Sequence, residues 1–148
     1  MSYLIRTACI CAAFGSALAW AGPGEDASAV VDLWSATYST NDADKLVSLY
    51  APDAVLLGTV SPVMSEGTAA IQKYFSALKG SGNKNTIRER RVFVLDDNAV
   101  VVAGFYDFSN AQQTPALRPS RFTMLITRKG GEWHIAHHHS SPLVPPKQ

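Results

Sequence analysis

Cysteine is nearly absent from this chain of 148 residues: Cys9 and Cys11 are the only two, and both fall in an N-terminal stretch that reads as removable. A disulfide framework and a cysteine metal site are therefore excluded for the remainder. An excess of charge of one sign is missing too. Thirteen Lys and Arg stand beside twelve Asp and Glu, for a formal net charge of +1. No basic run exceeds two neighbours, as in Arg90-Arg91 and Arg128-Lys129. Nucleic acid and anionic membrane surfaces demand a concentrated basic face, so neither is an expected partner. There is no internal repeat, no linker and no glycine-rich phosphate loop. At 47% hydrophobic and 17% charged, the composition is that of one ordinary globular domain, and two large domains are excluded.

The apolar stretch Thr7 to Trp20 is too short to span a bilayer. With Arg6 before it and the A-x-A site Ala19-Trp20-Ala21 ahead of Gly22-Pro23-Gly24, residues 1–21 read as a secretory signal peptide. An anchor helix would need a longer run, and a lipoprotein anchor a Leu-like residue where Ala8 stands. The expected product is secreted, to the bacterial periplasm, as a single domain over residues 22–148 with a Pro-rich end and no membrane contact after cleavage. Loss of Arg6 leaves twelve basic beside twelve acidic side chains, so electrostatic steering is local. Stability must come from packing.

Glycine and proline divide the rest into helices first and strands afterwards. Ala27, Val30, Val31, Trp34 and Tyr38 recur at helical spacing, and Asn41, Asp42 and Asp44 open a second short helix carrying Leu46, Leu49 and Tyr50. A strand from Ala54 to Leu57 follows, then a third helix capped by Thr68, with Ile71, Tyr74, Phe75 and Leu78 on one face. Two hairpins close the chain, 87–95 with 99–108 and 120–128 with 132–140. The run Ala99 to Ala103 is apolar on both strand faces, which predicts a cover on each side: the helices on one, a second copy of the chain on the other.

The segment GEWHIAHHHSSPLVPP, with LYAPDAVLLG, the helix start at Gly67 to Phe75 and the strand NAVVVAGFYDF, resembles the calcium/calmodulin-dependent protein kinase II association domain. It is most similar to the free-standing bacterial type, among SnoaL-like proteins of the nuclear transport factor 2-like superfamily. The resemblance runs from about Val31 to Pro145. It implies an α+β fold of the cone-shaped, cystatin-like kind, a bent antiparallel sheet wrapped around N-terminal helices with a pocket at the open end, and homo-oligomers formed through the sheet. Arginines that line the kinase hub's pocket fall at Tyr106, Met124 and Ser140 here. With no kinase domain and no calmodulin-binding helix, only the hub-like module is implied. The bacterial pattern places Arg121, Thr123, Trp133, His137, His139 and Ser141 at its motif positions.

His137 and His139 lie two apart on a predicted strand and so share a face at roughly 6 to 7 Å, while His138 points the other way. The pair suits general acid/base work, metal binding if a third ligand arrived, or hydrogen bonding to backbone at the cone's rim. No HExxH pair is present, and neither metal nor cofactor is expected. Arg121 and Thr123, on the neighbouring strand, would complete an anion-binding corner with the two imidazoles. Against this, Phe122, Met124 and Ile126 form the core-facing set and turn Arg121 outward. Asp53 and Asp107 are the carboxylates available as a buried base of the isomerase or cyclase kind, or as turn and strand-end residues. Trp34, Tyr38, Tyr50, Tyr74 and Tyr106 read as core and pocket wall, with a hydroxyl into the cavity. The expected function is a secreted, oligomeric module that binds a small organic ligand, anionic in character. The alternatives are an isomerase, cyclase or dehydratase using pocket His, Tyr and Asp, and a purely structural assembly.

Overall fold

The computed structural model describes residues 22–144; the expected signal peptide, residues 1–21, and the final four residues lie outside them. Helix α1 (Pro23–Thr40) starts where Pro23 occupies the first helical turn and the Glu25 carboxylate accepts the Gly22 amide at 3.3 Å. It buries Ala27, Val31, Trp34, Ser35 and Tyr38, a single stripe against the sheet. Asn41 ends it at φ 63°, in the left-handed region that asparagine tolerates by bonding locally. Its Nδ2 donates to the Tyr38 and Asn83 carbonyls at 3.2 and 2.7 Å, and its Oδ1 accepts from Gly82 at 2.7 Å. That clamp holds the helix end to the segment containing Asn83.

Helix α2 (Ala43–Val47) is capped by Asp42, whose Oδ1 accepts the Lys45 amide at 3.0 Å. The helical pattern predicted through Leu49 and Tyr50 stops short, because the Leu49 carbonyl accepts the Ile135 amide at 2.9 Å and strand β1 (Tyr50–Leu57) begins. Strand pairing overrides a weak local preference. Pro52 sits inside β1 where the ladder to its neighbour slips, a place where its missing N–H is tolerated. Strand β2 (Met64–Glu66) leads into α3 (Gly67–Phe75), whose cap is Glu66 rather than Thr68, and a 3-10 turn at Ser76–Leu78 follows.

Strands β3 (Lys84–Asp96), β4 (Ala99–Ser109), β5 (Leu117–Lys129) and β6 (Glu132–Pro142) form the two predicted hairpins, each strand longer than its apolar pattern. The sheet order is β2-β1-β6-β5-β4-β3. It is mixed and not wholly antiparallel, since β1 enters from α2 where β6 begins and the two run in the same direction. Three bulges shape it, one of them at Leu95 beside the β3–β4 turn. Arg88 is the extra residue of β3, opposite the Tyr106–Phe105 step of β4, and Ala136 is the extra residue of β6, opposite the Leu125–Ile126 step of β5. The helices cover the inner face, where Val100, Val102, Met124, Ile126 and Ile135 are fully buried.

Candidate functional site

Between the helices and the inner sheet face lies a cavity of about 310 Å³, at the small end of the ~300–1,000 Å³ typical of ligand pockets. Its apolar wall is aromatic: Trp34, Tyr38, Phe75, Tyr106 and Phe108 line it together with Leu56. Trp34 stacks on Tyr38 with ring centroids 5.4 Å apart and meets the His138 ring edge-on at 5.0 Å. Polar atoms come from Thr59, Asn83, Arg118, Ser120, His138 and Ser140. Arg118 is the one charged side chain among the described lining residues, and no carboxylate accompanies it there. Among the described residues no cluster of three His, Cys, Asp or Glu converges as metal ligands.

His138 is the centre of the polar wall. Its Nδ1 lies 2.9 Å from Tyr50 Oη, which accepts Trp34 Nε1–H at 2.8 Å, and its Nε2 lies 3.4 Å from Tyr106 Oη. Tyr106 donates to Ser140 Oγ, which is also bonded to Thr59 Oγ1. Burial drives the His138 pKa down from 6.5 to about 3, with smaller repulsion from His137 and His139. The ring is therefore neutral at any ordinary pH. Burial likewise raises the Tyr50 and Tyr106 hydroxyls well above the phenol range. Tyr38 is pushed up to about 12 by burial and by Tyr74, partly offset by the Arg118 charge and by a hydrogen bond from Asn83.

The predicted site residues divide between two faces. Trp34, Tyr38 and Tyr106 line the cavity, as does a Tyr74 whose ring lies against Gly58. Arg121, Thr123, His137 and His139 do share a face, but it is the outer one: Thr123 pairs with His139, Arg121 with Ser141 and Leu125 with His137, while their inward neighbours Phe122, Met124 and Ile126 fill the core. The bulge at Ala136 is the cause. Counted by strict alternation from the buried Ile135, His137 would point inward; one extra residue reverses that, and His138 and Ser140 take the inner side. Arg121, Thr123 and His139 instead border a hollow of about 450 Å³ on the outer face, with Arg91, Phe93 and Phe105. Asp53 is exposed, with Lys129 at 3.5 Å, and Asp107 lies beside Arg88 at 3.3 Å, so neither carboxylate reaches the cavity. Ser140, which the resemblance put at a pocket position, lines the cavity, and the polar group that sequence reasoning missed is Arg118 with Thr59 and Asn83. Arg118 stands between the two predicted hairpins and outside both, and no periodicity marks it.

Residues 27–145 match the SnoaL-like domain family, and the chain belongs to it. It is similar to a Xanthomonas campestris protein named for the calcium/calmodulin-dependent protein kinase II association domain, at 34% identity, covering 89% of this chain and 95% of that one, with a TM-score of 0.77. A ketosteroid isomerase-like protein from Erwinia carotovora atroseptica shares the fold at 15% identity, 82% and 97% coverage and a TM-score of 0.67. So does a Novosphingobium aromaticivorans protein named for scytalone dehydratase, at 11% identity, 81% and 83% coverage and a TM-score of 0.68. No curated protein matches. The fold is the nuclear transport factor 2-like, cystatin-like one, and the resemblance drawn from the C-terminal segment and its companions holds.

Proposed function

We propose that this chain is an exported, self-assembling binding module whose cone cavity takes a small organic anion with a flat apolar body. One observation carries the ligand reading: Arg118 lines an aromatic and hydroxylic cavity with no carboxylate among the described lining residues. A half-buried guanidinium gains most from a partner of opposite charge, and a carboxylate matches its planar donor fork. The aromatic walls suit a planar body. Export is supported by the signal-like residues 1–21, and self-assembly by exposed apolar side chains on the β3 edge, Phe93 and Val94 at 55% and Leu95 at 62%.

The enzymatic alternative requires a proton acceptor beside the ligand. None of the described lining residues is a carboxylate, and both nitrogens of the neutral His138 already have partners. Binding without turnover is the reading this geometry favours. Calorimetric titration with benzoate and cinnamate tests it. Arg118→Gln is expected to weaken binding by roughly tenfold or more, the effect of losing a charge-assisted hydrogen bond, while leaving the unliganded melting temperature near that of the parent. Equal affinity in the variant would overturn the anion reading. Because His137 and His139 lie outside the cavity and His138 stays neutral, affinity is expected to remain level between about pH 5.5 and 8, where an anion corner built from those two histidines would strengthen on acidification.

A further inference from the structure

The hydrogens behind the cavity wall can be counted. Trp34 Nε1 only donates, and it donates to Tyr50 Oη. Tyr50 is buried, and its hydroxyl has one other partner, His138 Nδ1. Were Nδ1 protonated, the Tyr50 hydroxyl hydrogen would be buried with no acceptor, an arrangement folded proteins avoid. Tyr50 therefore donates to Nδ1, and the neutral ring carries its hydrogen on Nε2, directed at Tyr106 Oη. With Nε2 protonated, Tyr106 has no acceptor on His138 and passes its hydrogen to Ser140. Tyr106, Ser140 and Thr59 hold three hydroxyl hydrogens; the short Tyr106–Ser140 and Ser140–Thr59 bonds use two, and the third has only the longer contact of Thr59 with Tyr106, so it is the one a ligand oxygen can draw away. Ser140 and Thr59 both line the cavity. In the opposite tautomer Nε2 would be an acceptor, Tyr106 would donate to it, Ser140 to Tyr106 and Thr59 to Ser140, and none would remain.

We propose that Tyr50, which does not itself line the cavity, is a positioning residue that fixes the His138 tautomer and so makes the Ser140–Thr59 wall a hydrogen-bond donor, selecting ligands that carry an oxygen acceptor beside their apolar body. This specificity rests on the binding reading above, and it narrows the ligand class to flat organic anions bearing a carbonyl or ether oxygen. A ligand with an apolar group at that wall leaves the last hydroxyl hydrogen with only its longer contact, which is how buried polar sites reject close analogues.

Two measurements test it. In protein labelled with 15N-histidine and free of ligand, long-range 1H–15N correlation assigns each ring. The His138 resonances, identified by their loss in His138→Asn, are expected to show hydrogen on Nε2 and a bare Nδ1 between about pH 5.5 and 8. Hydrogen on Nδ1 would overturn the proposal whatever binds. In the second arm, 3- and 4-acetylbenzoate are compared with the isopropylbenzoates of matched shape. The better acetyl compound is expected to bind roughly tenfold more tightly than its isopropyl match. That ratio is expected to survive Thr59→Val, because Ser140 then holds the spare hydrogen. A ratio near one in the parent protein, or its collapse in Thr59→Val, would overturn the relay. Failure of all four compounds to bind, with Nε2 protonated, would overturn the cavity reading and the selectivity built on it while leaving the tautomer assignment intact.

Discussion

His138 is fully buried and uncharged, so its protonation is coupled to unfolding. An unfolded histidine takes a proton below about pH 6.5, whereas the folded one resists to about pH 3. Between those values the unfolded chain binds more protons, and stability falls as pH falls, by at most about 1.4 kcal/mol per unit. Urea unfolding at pH 7 and pH 5 is expected to differ by about 2 kcal/mol from this residue, and His138→Gln is expected to flatten the slope. An unchanged slope in the variant would mean that the imidazole is not the group responsible. The same residue marks the limit of what alternation reveals. The grouping of Arg121, Thr123, His137 and His139 on one face was legible from period two, and so was the inward set Phe122, Met124 and Ile126. Which face the histidines took depended on one extra residue at Ala136, between an isoleucine and a histidine, with no glycine or proline to mark it.

The helices and hairpins were legible where period and punctuation agree, as in α1 and at the turns around Asn98 and Gly130. They were not legible where pairing partners distant in sequence decide, as at Tyr50, which a helical pattern claimed and β6 captured. That capture matters chemically, because only as a strand residue does Tyr50 come within reach of His138. Gly104 is the element-scale counterpart on the other side of the sheet. A Cβ there would lie 2.1 Å from the Glu89 carbonyl oxygen and 2.8 Å from Arg90 Cα, both backbone atoms that cannot swing aside. The β3 bulge at Arg88 thus brings one strand's backbone onto its neighbour, and only glycine admits the approach. Gly104→Ala is expected to cost about 1–3 kcal/mol, the range for overpacking, read as a lower urea midpoint with unchanged slope. A variant as stable as the parent would show that the bulge relaxes freely.

At the scale of the whole molecule, the outer sheet face is organised in rows. Phe93, Val101, Leu125 and His137 are directly paired across β3, β4, β5 and β6, and the next row reads Arg91, Ala103, Thr123, His139. A mostly apolar row beside a polar one that carries Arg91, next to a β3 edge that exposes Val94 and Leu95 at 55% and 62%, is the kind of surface that a partner covers. A second copy would cover the apolar row. Val101 sits in its middle and is half-buried in the single chain, its side chain away from the core that holds Val100 and Val102. In the proposed assembly a lysine there would place a charge in the row that a second copy covers without entering the core, so assembly is expected to be lost while the fold remains. Light scattering coupled to size exclusion at tens of micromolar is expected to give at least a dimer for the parent protein and a monomer for Val101→Lys, with matching near-ultraviolet circular dichroism. Because the cavity opens on the other side of the sheet, the monomeric variant is expected to bind benzoate as the parent does. A monomeric parent would remove the covered face from the account, and loss of binding on dissociation would mean that a partner completes the site.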